Sequence, residues 1–522
     1  MDTKEISVKD VMQYVPDQAQ LATTTYGLGG MPEELLKELG AYYKKHQHPK
    51  DVTLMAVAGI SRGEGTGMDY LLEPGLLKRF IGTHMSGAPL SAKAALANQY
   101  ELYMLPQGII GKLYRDAAAK GPGVWSKVGI GTFVDPRQEG GRINDRAKAA
   151  EELVEVTKVK GEEWLYFKPL PINVSFIKAT YADPKGNLSF IHEPLKLEAL
   201  TLAMAAKNAG GIVIAQVEDV VATGTLPAKE VDVPGVLVDY VVKAKPEYHQ
   251  QTFMTQYSPL LSNEIRTPKV KRRKLPLDNK TVIARRAVRE LKPNSFINIG
   301  VGMADKVSRL INEADLLDQF TLNTDLGAIG GMTASDYNYG TNYNADAIIN
   351  TLDMFDYYHG GGVDTTVLGF GQMDANGNMN TTQIGDMLIG PGGMIDISAS
   401  ASKIIFIGTF TVKGETSVEN GQLVIDHAGV DKKFKSDLSY ITFSSKEAIA
   451  NGKEIIIVTD RAVFEINKDS KLVLTEIAQG LDLEKDILDW MEFEPLISDK
   501  LKKIDSSYYS KSWNLRDYIK NK

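Results

Sequence analysis

The sequence predicts an α/β protein with mainly parallel sheets, built as two related halves. Three observations carry that prediction: apolar runs of strand length, helical patterns between them, and one strand-turn-strand segment that occurs twice. The repeated segment reads FIKATYADPKGNLS at 176–189 and VLGFGQMDANGNMN at 367–380. Asp183 falls on Asp374, Gly186 on Gly377 and Asn187 on Asn378, each time between an apolar run and a second strand. A D-x-x-G-N turn alone is a common hairpin signal. Here, however, a further buried-strand candidate follows each copy, GGIVIAQV at 210–217 and KIIFIGTF at 403–410. The repeated order favours duplication.

Apolar runs of about four to eight residues beside helical patterns suggest strands covered on both faces. The helical patterns are, in chain order, PEELLKELGAYYKK after the glycines of 29–31, LEALTLAMAAKNAGG at 197–211, and DNKTVIARRAVRELKP at 278–293. Strands alternating with helices of this length read as an α/β protein with mainly parallel sheets. Between the halves lies RTPKVKRRKLPLD, residues 266–278, with two prolines and six basic residues. No aromatic residue is interleaved with those charges, so the run reads as a solvated linker rather than a nucleic-acid patch. The expected division is therefore 1–265, linker 266–278, and 279–522.

Composition narrows the function. A chain of 522 residues is too long for one core, given about 150 residues per domain. Hydrophobic content of 43% with 24% charged residues excludes extensive disorder. The net charge of −7 is spread over 66 acidic and 59 basic residues without a long single-sign block. Such a surface offers no field for nucleic acid or anionic lipid. There is no cysteine, which removes disulfides, thiolate catalysis and Cys-ligated metal. The simplest reading is a cytoplasmic protein. The N-terminus has no apolar run of the signal-peptide kind, and nowhere do 18 uninterrupted apolar residues occur, so neither export nor membrane insertion is expected.

Glycine-rich turns end several strands: YGLGGM (26–31), NIGVGM (298–303), HGGGVD (359–364) and GPGGM (390–394). Glycine permits positive φ and lets backbone N–H groups approach an oxyanion or phosphate. NIGVGM lacks the third glycine of a dinucleotide fingerprint, and no G-K-[ST] closes GKLYRDAAAKGPG at 111–123, so nicotinamide and ATP chemistry lose their main support. One carboxylate stands out. Asp325 in TDLGAIGG (324–331) is followed by a backbone able to bend sharply and admit a substrate. The residues alone leave two readings open, a cap or Asx turn and a reactive group.

Several longer blocks carry a resemblance. They include LPQGIIGKLYRDAAA (105–119), GTFVDPRQEGGRIN (131–144), NIGVGMAD (298–305), FDYYHGGGVD (355–364) and EIAQGLDLEKDILDWMEFEPLI (476–497). Through them, from about residue 20 to residue 498, the chain resembles family I coenzyme A transferases of the single-chain propionate or acetate type. The resemblance implies two homologous domains with the active site between them, short-chain acyl-CoA and carboxylate substrates, and a homo-oligomer. It implies no metal and no permanent cofactor; coenzyme A is substrate and covalent intermediate. It also implies ping-pong exchange, in which a glutamate attacks the thioester to give an acyl anhydride, and the CoA thiolate then attacks the glutamyl carbonyl. A carboxylate suits that task because an anhydride keeps the energy of the thioester.

The resemblance places Asp325 at the nucleophile's position, two residues before Gly327, where the family usually has glutamate. The shortening withdraws the carboxylate by roughly 1.5 Å, one C–C bond, and misplacement of about 1 Å can cost on the order of a hundredfold. Thioester hydrolysis, or binding of acyl-CoA with impaired turnover, are therefore the alternative outcomes. Gln107 resembles the amide beside the acyl group, and Gly300, Val301 and Gly302 an oxyanion and substrate loop. Gly327, Ala328, Gly330, Gly390, Gly392 and Gly393 are expected to line the CoA channel. Thr24 and Thr25 stand where paired glycines are usual, which bears on acyl preference. His359 stands where an acidic residue is common and receives no catalytic role. Glu218 is a fallback carboxylate, read as a salt-bridge partner.

Overall fold

A computed structural model describes residues 3–26 and 29–519; Gly27 and Leu28 of the YGLGGM turn lie outside the described residues. The first half is organised by a sheet with seven parallel-paired strands in a row. They are β1 (Gln20–Thr23), β2 (Val52–Ala56), β3 (Leu77–Gly82), β4 (Glu101–Met104), β5 (Val174–Ala182), β6 (Ile212–Val220) and β7 (Tyr240–Lys243), in the order β7-β6-β5-β1-β2-β3-β4. The second half contains β8 (Phe296–Ile299), β9 (Thr321–Asn323), β10 (Thr365–Gly369), β11 (Lys403–Ile407) and β12 (Glu454–Val458). These pair in parallel in the order β12-β11-β10-β8-β9.

The two orders are the same path traced twice, β7-β6-β5-β1-β2 matching β12-β11-β10-β8-β9. The repeated turns occupy the same place on it, each between a central strand and the next crossover. Asp183 accepts from the Lys185 and Asn187 N–H groups at 2.9 and 3.0 Å, and Asp374 accepts from those of Asn376 and Asn378 at 2.9 Å. Gly186 and Gly377 take φ of 85° and 74°, a conformation only glycine adopts cheaply. Beyond the shared path the halves diverge, the second extending from β12 through antiparallel strands Ala462–Ile466 and Leu472–Ile477.

Burial on both faces explains the strand compositions. β5 is buried almost throughout although it contains a lysine. Lys178 is tolerated there because its ammonium meets Glu193 at 2.5 and 2.6 Å. Burial would push Glu193 up, but Lys178 and His249 hold it down to about 2, so this carboxylate is ionised inside the protein.

Helices α1 (Glu33–His46), α2 (Gln107–Ala119), α3 (Ala199–Asn208), α4 (Asn279–Val288), α5 (Asp305–Glu313), α6 (Thr351–His359) and α7 (Met394–Ser400) fill the crossovers. Asp278 caps α4 by accepting from Thr281 N at 2.7 Å. The basic segment before it lies against the second half: Arg266 Nη2 donates to Ala345 O at 2.6 Å, Asn312 Nδ2 to Val270 O at 3.1 Å, and Leu275 N to Glu313 Oε1 at 2.8 Å.

The halves meet at the helix that follows β4. Gly111 of α2 has no side chain because a Cβ there would lie 2.4 Å from Leu352 Cδ2 of α6. Arg115 of α2 pairs with both Asp353 and Asp356 of α6. The loop after β3 is tied to the 389–393 segment by Met85 N to Ile389 O, 2.7 Å, and Gly392 N to Thr83 O, 2.9 Å. The start of α2, the end of β9 and the start of α7 are thereby brought to one place.

Candidate active site

Asp325 lies just past β9, at the carboxyl end of a parallel strand, where open α/β sheets place their ligands. It is only 7% exposed. Burial, reinforced by the Asp396 carboxylate, pushes its carboxyl up to about 6, although its own backbone N–H and the Gln107 amide pull the other way. A carboxylate poised near neutrality rather than fully solvated is the state expected of a reactive group.

Gln107 and Gly393 form its immediate surroundings. A Cβ added at Gly393 would fall 2.6 Å from Asp325 Oδ2 and 3.3 Å from Gln107 Oε1. Gly393 therefore has to be glycine for the carboxylate to stand where it does. Gln107, the first residue of α2, is buried, and its Nε2 has no hydrogen-bond partner among the described residues. The amide is near enough to favour the charged form of Asp325 without meeting it in hydrogen-bond geometry. An unsatisfied buried N–H is costly unless something else takes it; a substrate oxygen is one acceptor. Two tyrosines close the far side. Tyr339 donates to Ile299 O at 3.1 Å, and Tyr358 donates to Asn323 Oδ1 while accepting from Asn298 Nδ2 at 3.0 Å. Burial and then the Asp325 charge push both hydroxyls well above the ordinary tyrosine range.

The other expected residues divide. Gly300, Val301 and Gly302 follow β8, with Val301 58% exposed and Gly302 at φ 81° with open space around it. Val301 and Gly302 present an apolar side chain and backbone to solvent, whereas Gly300 is buried, a Cβ there lying 3.0 Å from both Leu368 Cδ2 and Val367 O. Gly390 and Gly392 sit against the first half, where a Cβ on Gly390 would lie 2.3 Å from Thr83 O. Gly327 and Gly330 take φ of 115° and 78°, and Cβ atoms on them would lie 2.1 Å from Ile349 O and from Asp346 Oδ2 respectively. Ala328 is fully buried in a short strand paired with 347–348. These three shape the turn after Asp325 and face protein, not open space.

Thr24 and Thr25 are buried without positive φ among them. Thr24 Oγ1 donates to Gly30 O at 2.9 Å and accepts from Lys178 N at 3.1 Å, and Thr25 N donates to Glu198 Oε1 at 3.3 Å. Burial pushes Glu198 up to about 8, so it is largely neutral at pH 7. Glu218 is half exposed and meets His192 Nδ1 at 2.9 Å, as a surface pair does.

One part of the site was not legible in the sequence. Asp396, in the first turn of α7, is 0% exposed, and its Oδ1 accepts from His359 Nε2 at 2.9 Å. A single acid inside the apolar run MIDI was the available signal. Among the described residues no group of three or more His, Cys, Asp or Glu could hold a metal ion, and no helix is long and apolar enough to cross a membrane.

The family described as Coenzyme A transferase matches residues 5–244. The caffeate CoA-transferase of Acetobacterium woodii is 40% identical over 99% of this chain and 100% of its own length. The chain belongs to the coenzyme A transferases. The acetate CoA-transferase YdiF of Escherichia coli K12 is 38% identical to this transferase over 97% of the chain and 94% of its own. A crystal structure of the acyl-CoA transferase YdiF of E. coli O157:H7, described as a thioester complex with CoA, superposes with a TM-score of 0.90 at 36% identity, covering 98% of this chain and 96% of that one. The transferase is thus an enzyme of two α/β domains of similar fold, with coenzyme A as substrate and intermediate.

Proposed function

We propose that this coenzyme A transferase exchanges CoA between short-chain acyl-CoA and short-chain carboxylates such as acetate, propionate or butyrate, by a ping-pong route through Asp325. The observation that carries the reading is the buried Asp325 carboxylate, lodged between Gly393 and the unpartnered Gln107 amide. An Asp325 oxygen attacks the thioester carbonyl, the C–S bond breaks, and an acyl-aspartyl anhydride and CoA thiolate result. The thiolate attacks the aspartyl carbonyl, the acyl carboxylate leaves, and an enzyme–CoA thioester remains for a second acid to reverse the sequence. Gln107 Nε2 is the donor available to a developing oxyanion. Gly300, Val301 and Gly302, with Gly390 and Gly392, supply the backbone rim along which the pantetheine arm enters, and Gly327, Ala328 and Gly330 hold the turn behind the nucleophile. Residues 1–265 and 279–522 are the two domains, joined through 266–278. A cytoplasmic homo-oligomer belongs to the same reading.

The short-chain assignment is supported by the acetate enzyme among the relatives. The test is a donor panel of acetyl-, propionyl-, butyryl- and caffeoyl-CoA, with acetate as acceptor and exchange read by mass spectrometry. Exchange restricted to caffeoyl-CoA would overturn the short-chain reading.

A second outcome follows from the shortened nucleophile. Asp325→Glu is expected to raise acceptor-dependent transfer several-fold and to lower any acceptor-independent thioester hydrolysis. The longer side chain reaches the thioester carbonyl and displaces the water that a withdrawn carboxylate would activate as general base. Release of free CoA without acceptor, measured beside transfer, checks both halves of the expectation. Equal or lower transfer by the glutamate variant would show that the backbone already compensates for the missing methylene.

A further inference from the structure

Asp325 Oδ2 lies against Gly393, where a Cβ would stand 2.6 Å from it, and Gly393 caps the helix whose first turn carries the buried Asp396; this second carboxylate adds to the burial that disfavours the ionised form of Asp325. Two like charges facing each other in a dry site cannot both be free. The protein holds a cation-capable partner on the other side of Asp396: His359, at the end of α6, donates from Nε2 to Asp396 Oδ1 at 2.9 Å. The histidine side chain is 7% exposed. Nδ1 of His359 and Oδ2 of Asp396 have no hydrogen-bond partner among the described residues. The chain makes room for this pair. A Cβ on Gly108, next to Gln107, would lie 2.8 Å from both Asp396 Oδ1 and His359 Cε1. One glycine thus lets α2 carry Gln107 to Asp325 and still clear the His359–Asp396 contact.

We propose that His359 and Asp396 are positioning residues for Asp325, the imidazole holding and compensating the Asp396 charge so that Asp325 does not face a bare second carboxylate. The inference rests on Asp325 being the nucleophile. The His359 hydrogen bond draws on the Asp396 carboxylate, so Asp325 ionises more readily with it than it would beside an unpartnered second carboxylate. Neither residue touches the reacting atoms.

The charged and titratable surroundings are few. Asp325 faces Asp396 from α7 and the Tyr339 and Tyr358 hydroxyls, which are neutral throughout the usable range; Asp305 acts on Tyr339 from further out. His359 also forms part of the wall of a cavity of about 680 Å³, together with Lys112 of α2, Glu447 and Lys453. Burial pushes Lys453 down to about 8, so it remains mostly cationic at the acid pH values where Asp325 titrates.

The test is the pH dependence of single-turnover CoA loading onto the enzyme, followed by mass spectrometry with acetyl-CoA as donor, and normalised to each protein's rate at pH 8. Asp396→Asn is expected to move the acid limb to lower pH, giving several-fold to about tenfold faster relative loading at pH 5, since a carboxyl that titrates about one pH unit lower is ionised up to about ten times more at acid pH. His359→Phe is expected to move the limb to higher pH. The double variant should reproduce the profile of Asp396→Asn, because the imidazole acts only through Asp396. His359→Gln retains a neutral hydrogen-bond donor and covers the case in which the phenylalanine variant does not fold; its limb should lie between those of wild type and His359→Phe. An adduct on Asp325 with an acid limb unmoved in Asp396→Asn and in the folded His359 variant would overturn this inference alone. An adduct on another residue would overturn the nucleophile assignment and the inference with it.

Discussion

Asp325→Asn is expected to abolish acceptor-dependent CoA transfer, by on the order of a thousandfold or more, while making the folded protein more stable at neutral pH. The two effects share one cause. The carboxyl is held at about 6 in the folded protein, above the roughly 3.9 of an unfolded aspartate. Between those values the folded state binds more protons than the unfolded one, so stability falls as pH rises through this window. Below the unfolded value the cost is absent; above the folded value it is complete, about 3 kcal/mol for a carboxyl raised by about two pH units. Asparagine is never ionised and escapes that cost. The gain in melting temperature should be largest at pH 8 and shrink toward pH 5. Transfer assays, adduct mapping and thermal melts at those two pH values are the measurements. An inactive variant whose gain over the wild type is no larger at pH 8 than at pH 5 would mean that the buried carboxylate is compensated by groups other than those described. Retained transfer would remove Asp325 from the chemistry.

Gly393→Ala is expected to cost about a hundredfold in kcat with little change in melting temperature. The glycine has φ −80°, a value alanine adopts freely, so no backbone strain opposes the substitution. Its new methyl would stand 2.6 Å from Asp325 Oδ2 and 2.9 Å from Ile397 Cδ1. Both contacts are with the ends of side chains, which can yield, so folding is affected only slightly. Catalysis is affected much more, because the group that yields is the nucleophile. A displacement of about 1 Å from productive geometry is worth on the order of a hundredfold. The measurement is kcat with a saturating donor beside a thermal melt. Full activity would show that the carboxylate moves away from Gly393 when it reacts.

The fold class and the duplication were legible because they rest on local signals. Asp183 and Asp374 organise the same turn from within five residues, and β5 and β11 announce their burial by composition. The candidate site was partly legible. Asp325, Gln107 and Gly393 follow from a resemblance in motif, and the structure brings the three side by side. The linker segment keeps most of its basic residues exposed and is also tied along the second half by hydrogen-bond partners, Ala345, Glu313 and Asn312, that are distant in sequence.

By itself, the sequence determined the α/β class, the repeated strand-turn-strand segments, three of the helices, and which carboxylate is followed by a flexible glycine turn. These depend on periodicity, glycine conformation and side-chain size, properties that each short stretch carries with it. Only the tertiary structure decided the strand order shared by the two halves, and the His359–Asp396 contact beside Asp325. Those two residues are 37 apart in the chain, on different helices, and each looks ordinary in its own segment. They meet because α2 of the first half packs against both with a glycine at 108, and because charges taken out of water are stable only when partners converge on them, which is a property of the whole packing and of no single stretch.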